Sequence, residues 1–473
     1  MRFFSPFRLH LIVLAACWCV TDSNAQPANL PKVGQFADCN VIFVSFDALQ
    51  ARHCQFLGYP RKTTPHLDKL AQKSYVFENV YSVASWTVPA SMTWFTGVYP
   101  SEHRMTNKFA LWTPQQQKMA KLGELAPELV TLADLFRAAG YKTGGFTGNA
   151  GVSGGFGYEQ GFDRYYFPAN VFGKFENSIP RALEWIKEHR DKRFFLFLHG
   201  YDVHGQCMPT GGYDYRFVAK GYDEKFTGSA LEQEILREEG LSLGKLAMRQ
   251  TDVDFWRAIY DEKIQRTDEQ FGKFMEEFQK LKLNEKTIII ITSDHGTEFH
   301  EHGRYDHGFT LYNELLHVPM LIHLPKQSKS HRIATAISSI DLMPTILDLV
   351  GQKSPQRVAK QLRGKSLRGT MEGISLPSPI FSETDYREYT YKRATIDWDG
   401  WKLILTMENN TKELYHLPTD PKELTNLVGK EPKITANLEA EIYRFYENLG
   451  HDLKKRTWKV GLNPVYPSQG KQK

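Results

Sequence analysis

Three apolar, β-branched runs divide the chain, and each ends next to an acidic or imidazole side chain. The runs cover residues 40–46, 194–198 and 287–292. A near-continuous apolar run of this length is typical of a strand buried on both faces, as in a parallel sheet. Helical patterns lie between and after the first two runs, at 131–139, 179–189 and 255–281.

Strands that alternate with helices indicate an α/β domain with a mostly parallel central sheet flanked by helices. In such folds ligands bind beyond the carboxyl ends of the strands. Asp47, the segment His199–His204 and the pair Asp294-His295 all follow strand ends. The sequence therefore predicts one cleft that contains all three groups.

The pattern changes after residue 351. Residues 352–379 are rich in glycine, serine, proline and charge and predict a loop, whereas 380–405 form short strand-like runs and 434–449 form a helical stretch. We expect a small C-terminal α+β subdomain. The predicted organisation is a main domain at 38–351, the subdomain at 352–455 and a flexible tail at 456–473.

The first 25 residues have the layout of a secretory signal peptide. Arg2 and Arg8 precede the apolar run 11–20, and small residues end the segment at Ala25. About ten apolar residues are too few to span a bilayer as a helix. We expect a secreted or periplasmic protein; the alternative is a lipoprotein processed at Cys17. No later segment resembles a membrane span.

Composition is that of an ordinary folded protein, with 41% hydrophobic and 24% charged residues in 473. The 59 basic and 54 acidic residues give a charge of +5 without a basic block, so nucleic acid is not an expected partner. Once the signal peptide is removed, three cysteines remain. They form neither a disulfide framework nor a zinc motif, although a single disulfide bond between two of them is possible. They are Cys39, Cys54 and Cys207.

Asp294-His295-Gly296 is a natural half-site for a divalent metal ion, because two adjacent ligand side chains stand at a strand end beside a glycine. Asp47 can supply a third ligand. Carboxylate and imidazole together suit Ca, Mn, Zn or Mg, so the identity of the ion stays open. The loop 298–308 is dense in histidine and acids, and His307 is its residue that we expect to face a substrate. Asp202 and His204 are predicted to enter the same cleft.

Short sequence blocks are spread over most of the chain, among them Ser293-Asp294-His295-Gly296. They are residues 41–49, 64–71, 85–90, 96–100, 161–163, 293–296, 341–349, 413–417 and 420–421. In content and in order these blocks resemble the sulfatase family of the alkaline phosphatase superfamily. That resemblance implies an alkaline-phosphatase-like sandwich with a small C-terminal subdomain.

The resemblance implies that Thr87 is the nucleophile. Sulfatases carry Cys or Ser there, within Cys/Ser-x-Pro-x-Arg, and oxidise it to formylglycine. Threonine would give a ketone instead, and Ser91 stands in place of the arginine, so formylglycine is not expected. Residues 147–150 replace the Gly-Lys-Trp-His stretch that holds sulfate, and Ala48 replaces the second Asp of the metal pair.

A threonine beside Asp, Asp and His resembles the phosphodiesterase and phospho-group transferase branches. The resemblance implies that Asp47, Thr87, Asp294 and His295 bind one ion and that Thr87 attacks phosphorus. His204 and His307 are then candidates for protonating the leaving oxygen or binding the anion, and Asn107 for contacting an oxygen. A second ion, held by Asp202, His204 and His307, stays open. The spacing Asp202-Val203-His204 argues for one ion, since two-metal phosphodiesterases have Asp-x-x-x-His.

The leading hypothesis is an exported hydrolase of a phosphate or sulfate ester, with phosphate favoured by Thr87. Its substrate would be a small anionic ester or a glycan-linked or lipid-linked ester. One alternative is a transferase of phospho-linked head groups. The other is a catalytically inactive binding protein, which the missing lysine, arginine and aspartate favour and the retained metal ligands oppose.

Overall fold

The computed structural model describes residues 30, 32–105, 125–126, 128–168, 172–223, 225–374, 377–386 and 390–455. Several predictions fall outside these ranges and stay predictions. They are the signal peptide 1–25 with the processing site Cys17, the contact of Asn107 and the tail 456–473.

Nine strands form the central sheet of the described chain. They are β1 (Asn40–Phe46), β2 (Tyr75–Tyr81), β3 (Lys142–Phe146), β4 (Arg164–Tyr166), β5 (Phe194–Gly200), β6 (Thr287–Thr292), β9 (His317–His323), β10 (His331–Ile333) and β11 (Ile337–Ser338); β7 (Glu298–Phe299) and β8 (Tyr305–Asp306) form a separate hairpin. The order is β10-β2-β9-β6-β1-β5-β3-β4, with β11 paired to β2. Only β9 pairs antiparallel with its neighbours; the other pairings are parallel.

The α-helices of the described chain separate these strands or follow them. They are α1 (Pro65–Ala71), α2 (Thr87–Thr96), α3 (Pro100–His103), α4 (Leu132–Ala138), α5 (Phe175–Glu188), α6 (Ala230–Leu243), α7 (Gln250–Lys280), α8 (Asn313–Leu316), α9 (Leu342–Leu349), α10 (Gln356–Gln361), α11 (Arg368–Met371) and α12 (Pro432–Asn448). A search of this part of the chain finds no helix with the length and apolar character to cross a membrane.

Strand β1 shows why the apolar runs are continuous. Val41 and Phe43 belong to a hydrophobic core on one face of the sheet, while Ile42 and Val44 belong to a second core on the other face. Every residue of β1 is buried, and apolar side chains fill both faces except at Asn40 and Ser45, near the two ends of the strand. Full burial of one such side chain stabilises the fold by about 1.5–3 kcal/mol. The predicted α/β sandwich with a mostly parallel sheet is confirmed.

The C-terminal part folds as a four-stranded antiparallel sheet covered by α12. Its strands are β12 (Ile380–Tyr386), β13 (Thr390–Ile396), β14 (Trp401–Thr406) and β15 (Thr411–His416), in that order. The predicted α+β subdomain is therefore present. The loop prediction for 352–379 was wrong where α10 and α11 form, because Val358 and Met371 pack into the core of the main sheet. Cys39, Cys54 and Cys207 are free thiols, so no bridge joins them.

A buried ionic network joins the β7-β8 hairpin to the C-terminal subdomain. His302 lies 2.5 Å from the carboxylate of Glu314 through Nδ1 and 3.0 Å from the carbonyl oxygen of Glu423 through Nε2. Acceptors on both ring nitrogens require the doubly protonated imidazolium. Burial alone lowers the pKa of His302, but the hydrogen bond and charge of Glu314 outweigh it and raise that pKa to about 9. Lys402 completes the network, 2.7 Å from Glu423.

We expect His302→Gln to destabilise the protein by about 2 kcal/mol at pH 6, because the buried carboxylate of Glu314 loses its charged partner. A raised pKa gives a stabilisation that is fully present below the unfolded value of 6.5 and is lost as the pH rises through about 9. The stability difference between wild type and variant should therefore narrow from pH 6 to pH 9.5 in urea titrations. His416→Gln, at the surface, serves as the control; a constant difference across the pH range would contradict this role of His302.

Candidate active site and metal centre

Three adjacent parallel strands, β6, β1 and β5, carry the candidate site at their carboxyl ends. Asp294, Asp47 and His199 follow or end these strands, and their side chains are fully buried. One ligand atom from each lies within 4.8 Å of the others. The side chains predicted to meet at the strand ends therefore do lie close together. His199 was not among the candidate ligands, although its position at a strand end was the signal for it.

The donor atoms of this group fit a divalent cation. Asp47 Oδ1, Asp294 Oδ2 and both ring nitrogens of His199 are buried and accept or donate no hydrogen bond within the described chain. Unpaired buried carboxylates are costly, so such groups are paired or coordinate metals. Burial, then the nearby charge of Asp294, raises the pKa of Asp47 well above its usual range. Burial lowers the pKa of His199 to about 4, which keeps its imidazole neutral and able to ligate.

Thr87 is the first residue of α2 and points at the same group. Its Oγ1 lies 3.2 Å from Asp47 Oδ2 and 3.3 Å from His295 Nε2. His295 Nδ1 lies 2.6 Å from the carbonyl oxygen of Gly296, so it carries a proton and donates. The lone pair of a neutral His295 is therefore on Nε2, facing Thr87 and, at 3.5 Å, Asp294 Oδ2.

The backbone after Asp47 is held in an uncommon conformation. Ala48 has a φ of +57°, in the left-handed region that few non-glycine residues adopt. Its N–H donates to Asp294 Oδ1 at 3.1 Å, and its carbonyl accepts from the Tyr260 hydroxyl at 2.6 Å. Leu49 N–H donates to Ser293 Oγ at 2.8 Å. These bonds tie the ends of β1 and β6 together and fix both carboxylates.

Two further imidazoles form one wall of the site. His204 Nε2 and His307 Nε2 are 3.1 Å apart, and the ring of His307 lies 4.3 Å from that of His295 between centroids. The structure thus brings both predicted histidines together beside His295. Asp202 makes hydrogen bonds away from these histidines. Its oxygens accept from the Phe175 N–H at the start of α5 and from the Gln270 side chain. Burial raises the pKa of Asp202 to about 6.

The segment 147–151 passes close to Thr87. A Cβ on Gly151 would lie 2.8 Å from Thr87 Cγ2, so only glycine fits there. Asn149 and Ala150 have φ values of +68° and +46°, a strained conformation of the kind that clusters at functional sites. The stretch that departs from the sulfate-binding motif therefore lies where that motif is expected, without its lysine and histidine.

Comparison with known proteins identifies the family. A model of the family described as "Sulfatase" matches residues 39–352, well over half of the chain. The chain belongs to the sulfatase family. A second model, "N-sulphoglucosamine sulphohydrolase, C-terminal", matches residues 300–448. This family member thus has an alkaline-phosphatase-like fold.

Curated relatives are sulfatases at low identity. Arylsulfatase K of Bos taurus is 30% identical over 197 residues, which cover 39% of this chain and 36% of that protein. The chain thus spans only about a third of that relative's length. N-acetylglucosamine-6-O-sulfatase of Bacteroides thetaiotaomicron is 23% identical over 501 residues, covering 89% of this chain and 87% of the relative.

Solved structures share the fold. A 2-O GAG sulfatase superposes with a TM-score of 0.69 at 18% identity, covering 88% of this chain and 94% of the other. The phosphonate monoester hydrolase of Agrobacterium radiobacter superposes with a TM-score of 0.63 at 18% identity, covering 88% and 96%. Both kinds of ester hydrolase therefore use this fold.

We expect a bound divalent ion to stabilise the protein. A hundredfold excess of ion over Kd contributes about 2.7 kcal/mol, which raises Tm. Thermal melts after chelator treatment, with Ca, Mn, Zn or Mg added singly, measure this shift. Asp47→Asn should abolish the shift without lowering the Tm of the metal-free protein, because it removes a buried like-charge contact. Asp341→Asn, a buried aspartate outside the site, should keep the shift; loss of the shift there as well would contradict a metal centre at Asp47.

Proposed function

We propose that this sulfatase-family protein is a metal-dependent hydrolase of phosphate or sulfate esters in which Thr87 is the covalent nucleophile. The observation that carries the proposal is the position of the Thr87 hydroxyl, 3.2 Å from Asp47 and 3.3 Å from His295. That hydroxyl faces a buried group of metal-capable atoms at the start of a ten-residue helix. A nucleophile needs a neighbouring base or metal for activation, and the contacts of Thr87 support a base at Asp47 or His295 and a metal held by the same group.

Asp47, Asp294, His295 and Thr87 would hold the ion in this proposal, with His199 in reach of it. When bound, a divalent ion lowers the pKa of a coordinated hydroxyl and neutralises negative charge on the substrate. The set contains carboxylate oxygens and imidazole nitrogens, which suit several divalent metals. One ion accounts for the orphaned atoms of Asp47, Asp294 and His199. A second ion remains a proposal for His204 and His307, without support from the contacts of Asp202.

The chain's own residues account for each proton and bond of the proposed reaction. The Thr87 hydroxyl gives its proton to Asp47, and Oγ1 forms a bond to phosphorus or sulfur while the bond to the leaving oxygen breaks. His204 or His307 donates a proton to that oxygen. The N–H groups of the first turn of α2 have no partner within the helix, and they favour the anion electrostatically. Water then attacks phosphorus or sulfur and the bond to Thr87 Oγ1 breaks; Asp47 returns its proton to Oγ1, and a proton of the water restores the imidazole that acted as acid.

The absence of cationic side chains at the family's sulfate-binding positions favours phosphate. Ser91 replaces an arginine, and its Oγ contacts the Thr87 carbonyl at 2.5 Å and the Tyr158 hydroxyl at 2.8 Å. Thr87 itself cannot become the aldehyde of formylglycine. The phosphonate monoester hydrolase with the same fold shows that such a scaffold also supports phosphorus chemistry.

The relatives support an anionic glycan-linked ester as the substrate class. One is named as an N-acetylglucosamine-6-O-sulfatase and one solved neighbour as a 2-O GAG sulfatase. Extracellular glycans are reached by exported enzymes, and residues 1–25 support export by their signal-peptide pattern.

A second candidate is a catalytically inactive binding protein. The specific observation that favours it is the loss of cationic groups at Ser91 and at residues 147–150. The intact contacts of Thr87 with Asp47 and His295 weigh against it, since binding alone requires no hydroxyl at that point.

Thr87→Ala should lower kcat by about a thousandfold or more on 4-nitrophenyl phosphate monoesters and diesters, because it removes the nucleophile. Thr87→Ser keeps a hydroxyl and should retain much of the activity. Sulfate esters should react more slowly than phosphate esters with the wild type. Stopped assays with each metal measure these rates, and mass spectrometry of a quenched reaction should find a phosphoryl group on residue 87.

If the Thr87→Ala variant keeps its activity, Thr87 is not the nucleophile. An oxidised side chain at residue 87 would restore the formylglycine mechanism. A wild type that takes up metal but turns over neither ester class would favour the binding protein.

A further inference from the structure

We propose that Arg237 is a positioning residue, which pins Asp306 so that Asp306 holds His307 in place to protonate the leaving group. This inference rests on the proposed hydrolase function. Arg237 belongs to α6, within residues 206–254, a stretch in which the sequence shows no motif. The structure nevertheless brings its guanidinium next to the imidazole wall of the site.

Asp306 uses its two carboxylate oxygens differently. Oδ1 lies 3.2 Å from His307 Nε2. Oδ2 accepts from Gln206 Nε2 at 2.9 Å and lies 3.8 Å from Arg237 Nε. Gln206 therefore holds one oxygen by a hydrogen bond and Arg237 attracts it at ion-pair distance, while the other oxygen lies at ion-pair distance from His307 and makes no hydrogen bond within the described chain. Asp306 is 1% exposed, and its φ of +78° is strained for a residue with a side chain.

Arg237 is suited to hold this carboxylate because it is itself buried and charged. Only 8% of the residue is exposed. Burial lowers the pKa of its guanidinium, but the charges of Asp306, Tyr386 and Glu238 and the hydrogen bond to Glu238 together outweigh that effect and raise the pKa overall. Arg237 also donates hydrogen bonds from Nε and Nη2 to Glu238 Oε1, at 3.3 and 3.1 Å. The guanidinium is thus fixed between two carboxylates and is not free to bind substrate.

The backbone of His204, whose imidazole lies next to that of His307, is also held by hydrogen bonds. Lys263, on α7, donates to the carbonyl oxygens of His204 and Gly205 at 3.0 and 2.8 Å. A Cβ on Gly205 would lie 3.4 Å from Asp306 Oδ2, so the segment packs directly against the carboxylate. Both imidazoles are therefore set by residues outside the family's motif blocks.

The chemical consequence depends on the leaving group. A 4-nitrophenolate leaves without a proton, whereas an alkoxide leaves only if it is protonated as the bond breaks. A residue that orients the acid should therefore affect alkyl esters and spare nitrophenyl esters. A residue needed only for folding would affect both substrates equally.

The test compares Arg237→Gln, Arg237→Lys and wild type on a methyl ester and a 4-nitrophenyl ester of the same phosphate. We expect kcat on the methyl ester to fall about tenfold or more in Arg237→Gln, as for other orienting residues, with KM unchanged. The nitrophenyl rate should stay near that of the wild type, and Arg237→Lys should recover part of the loss. Arg249→Gln is the matched control, since Arg249 pairs with Asp223 and Asp252 in the same segment.

Equal losses on both esters, or no loss on either, would overturn the inference. If Arg237→Gln does not fold, Asp306→Asn is the isosteric variant that must show the same selective loss on the methyl ester. If the wild-type protein hydrolyses neither ester, both the proposed function and this inference are wrong. If the wild-type protein is active and Arg237→Gln has the same rates as the wild type, only this inference is wrong.

Discussion

Two fully buried carboxylates at the ends of adjacent strands set the conditions for the rest of the site. Oxygen atoms of Asp47 and Asp294 lie within 4.8 Å of one another. At an effective dielectric constant of about 20, two like charges at this distance repel by about 3 kcal/mol. Within the described chain, only histidines lie at ion-pair distance from either carboxylate. The pair is therefore stable as two anions only when a cation joins it.

The surrounding structure is built to hold this unfavourable pair in place. The backbone after Asp47 is held close to Asp294 although it is strained. Ala48 has a positive φ, Leu49 donates a hydrogen bond to Ser293, and the Tyr260 hydroxyl donates to the Ala48 carbonyl. Without these contacts, a relaxed loop would let the two carboxylates move apart. Two hydrophobic cores on opposite faces of the sheet supply the stability against which this strain is set. Functional sites often contain strained backbone and buried charges without partners, and the stability of the rest of the fold compensates for their cost.

The central strands could be predicted because the signal is local. Strand β1 is buried on both faces, so a continuous apolar run, residues 41–44, forms its centre, and Asp47 follows its end. Helices α10 and α11 could not be predicted from the sequence. Their segments are short and rich in proline, glycine and charge, and they become helical only because Val358 and Met371 pack into the core. The position of Arg237 also depends on tertiary structure: its contact with Asp306 joins residues far apart in the chain, and no periodicity encodes it.

The departures from the sulfatase motif have a common electrostatic effect. Ser91 fills the arginine position with neutral hydrogen bonds to Tyr158 and the Thr87 carbonyl, and residues 147–150 contribute no cation. In the proposed function, positive charge for an anionic ester would come from the start of α2, from protonated imidazole and from an ion held by Asp47 and Asp294. Without the fixed cations of the motif, such a site would depend more strongly on its metal for both binding and activation. An ion there would attract the ester and also lower the pKa of the Thr87 hydroxyl, which is how a threonine would serve as nucleophile in place of formylglycine.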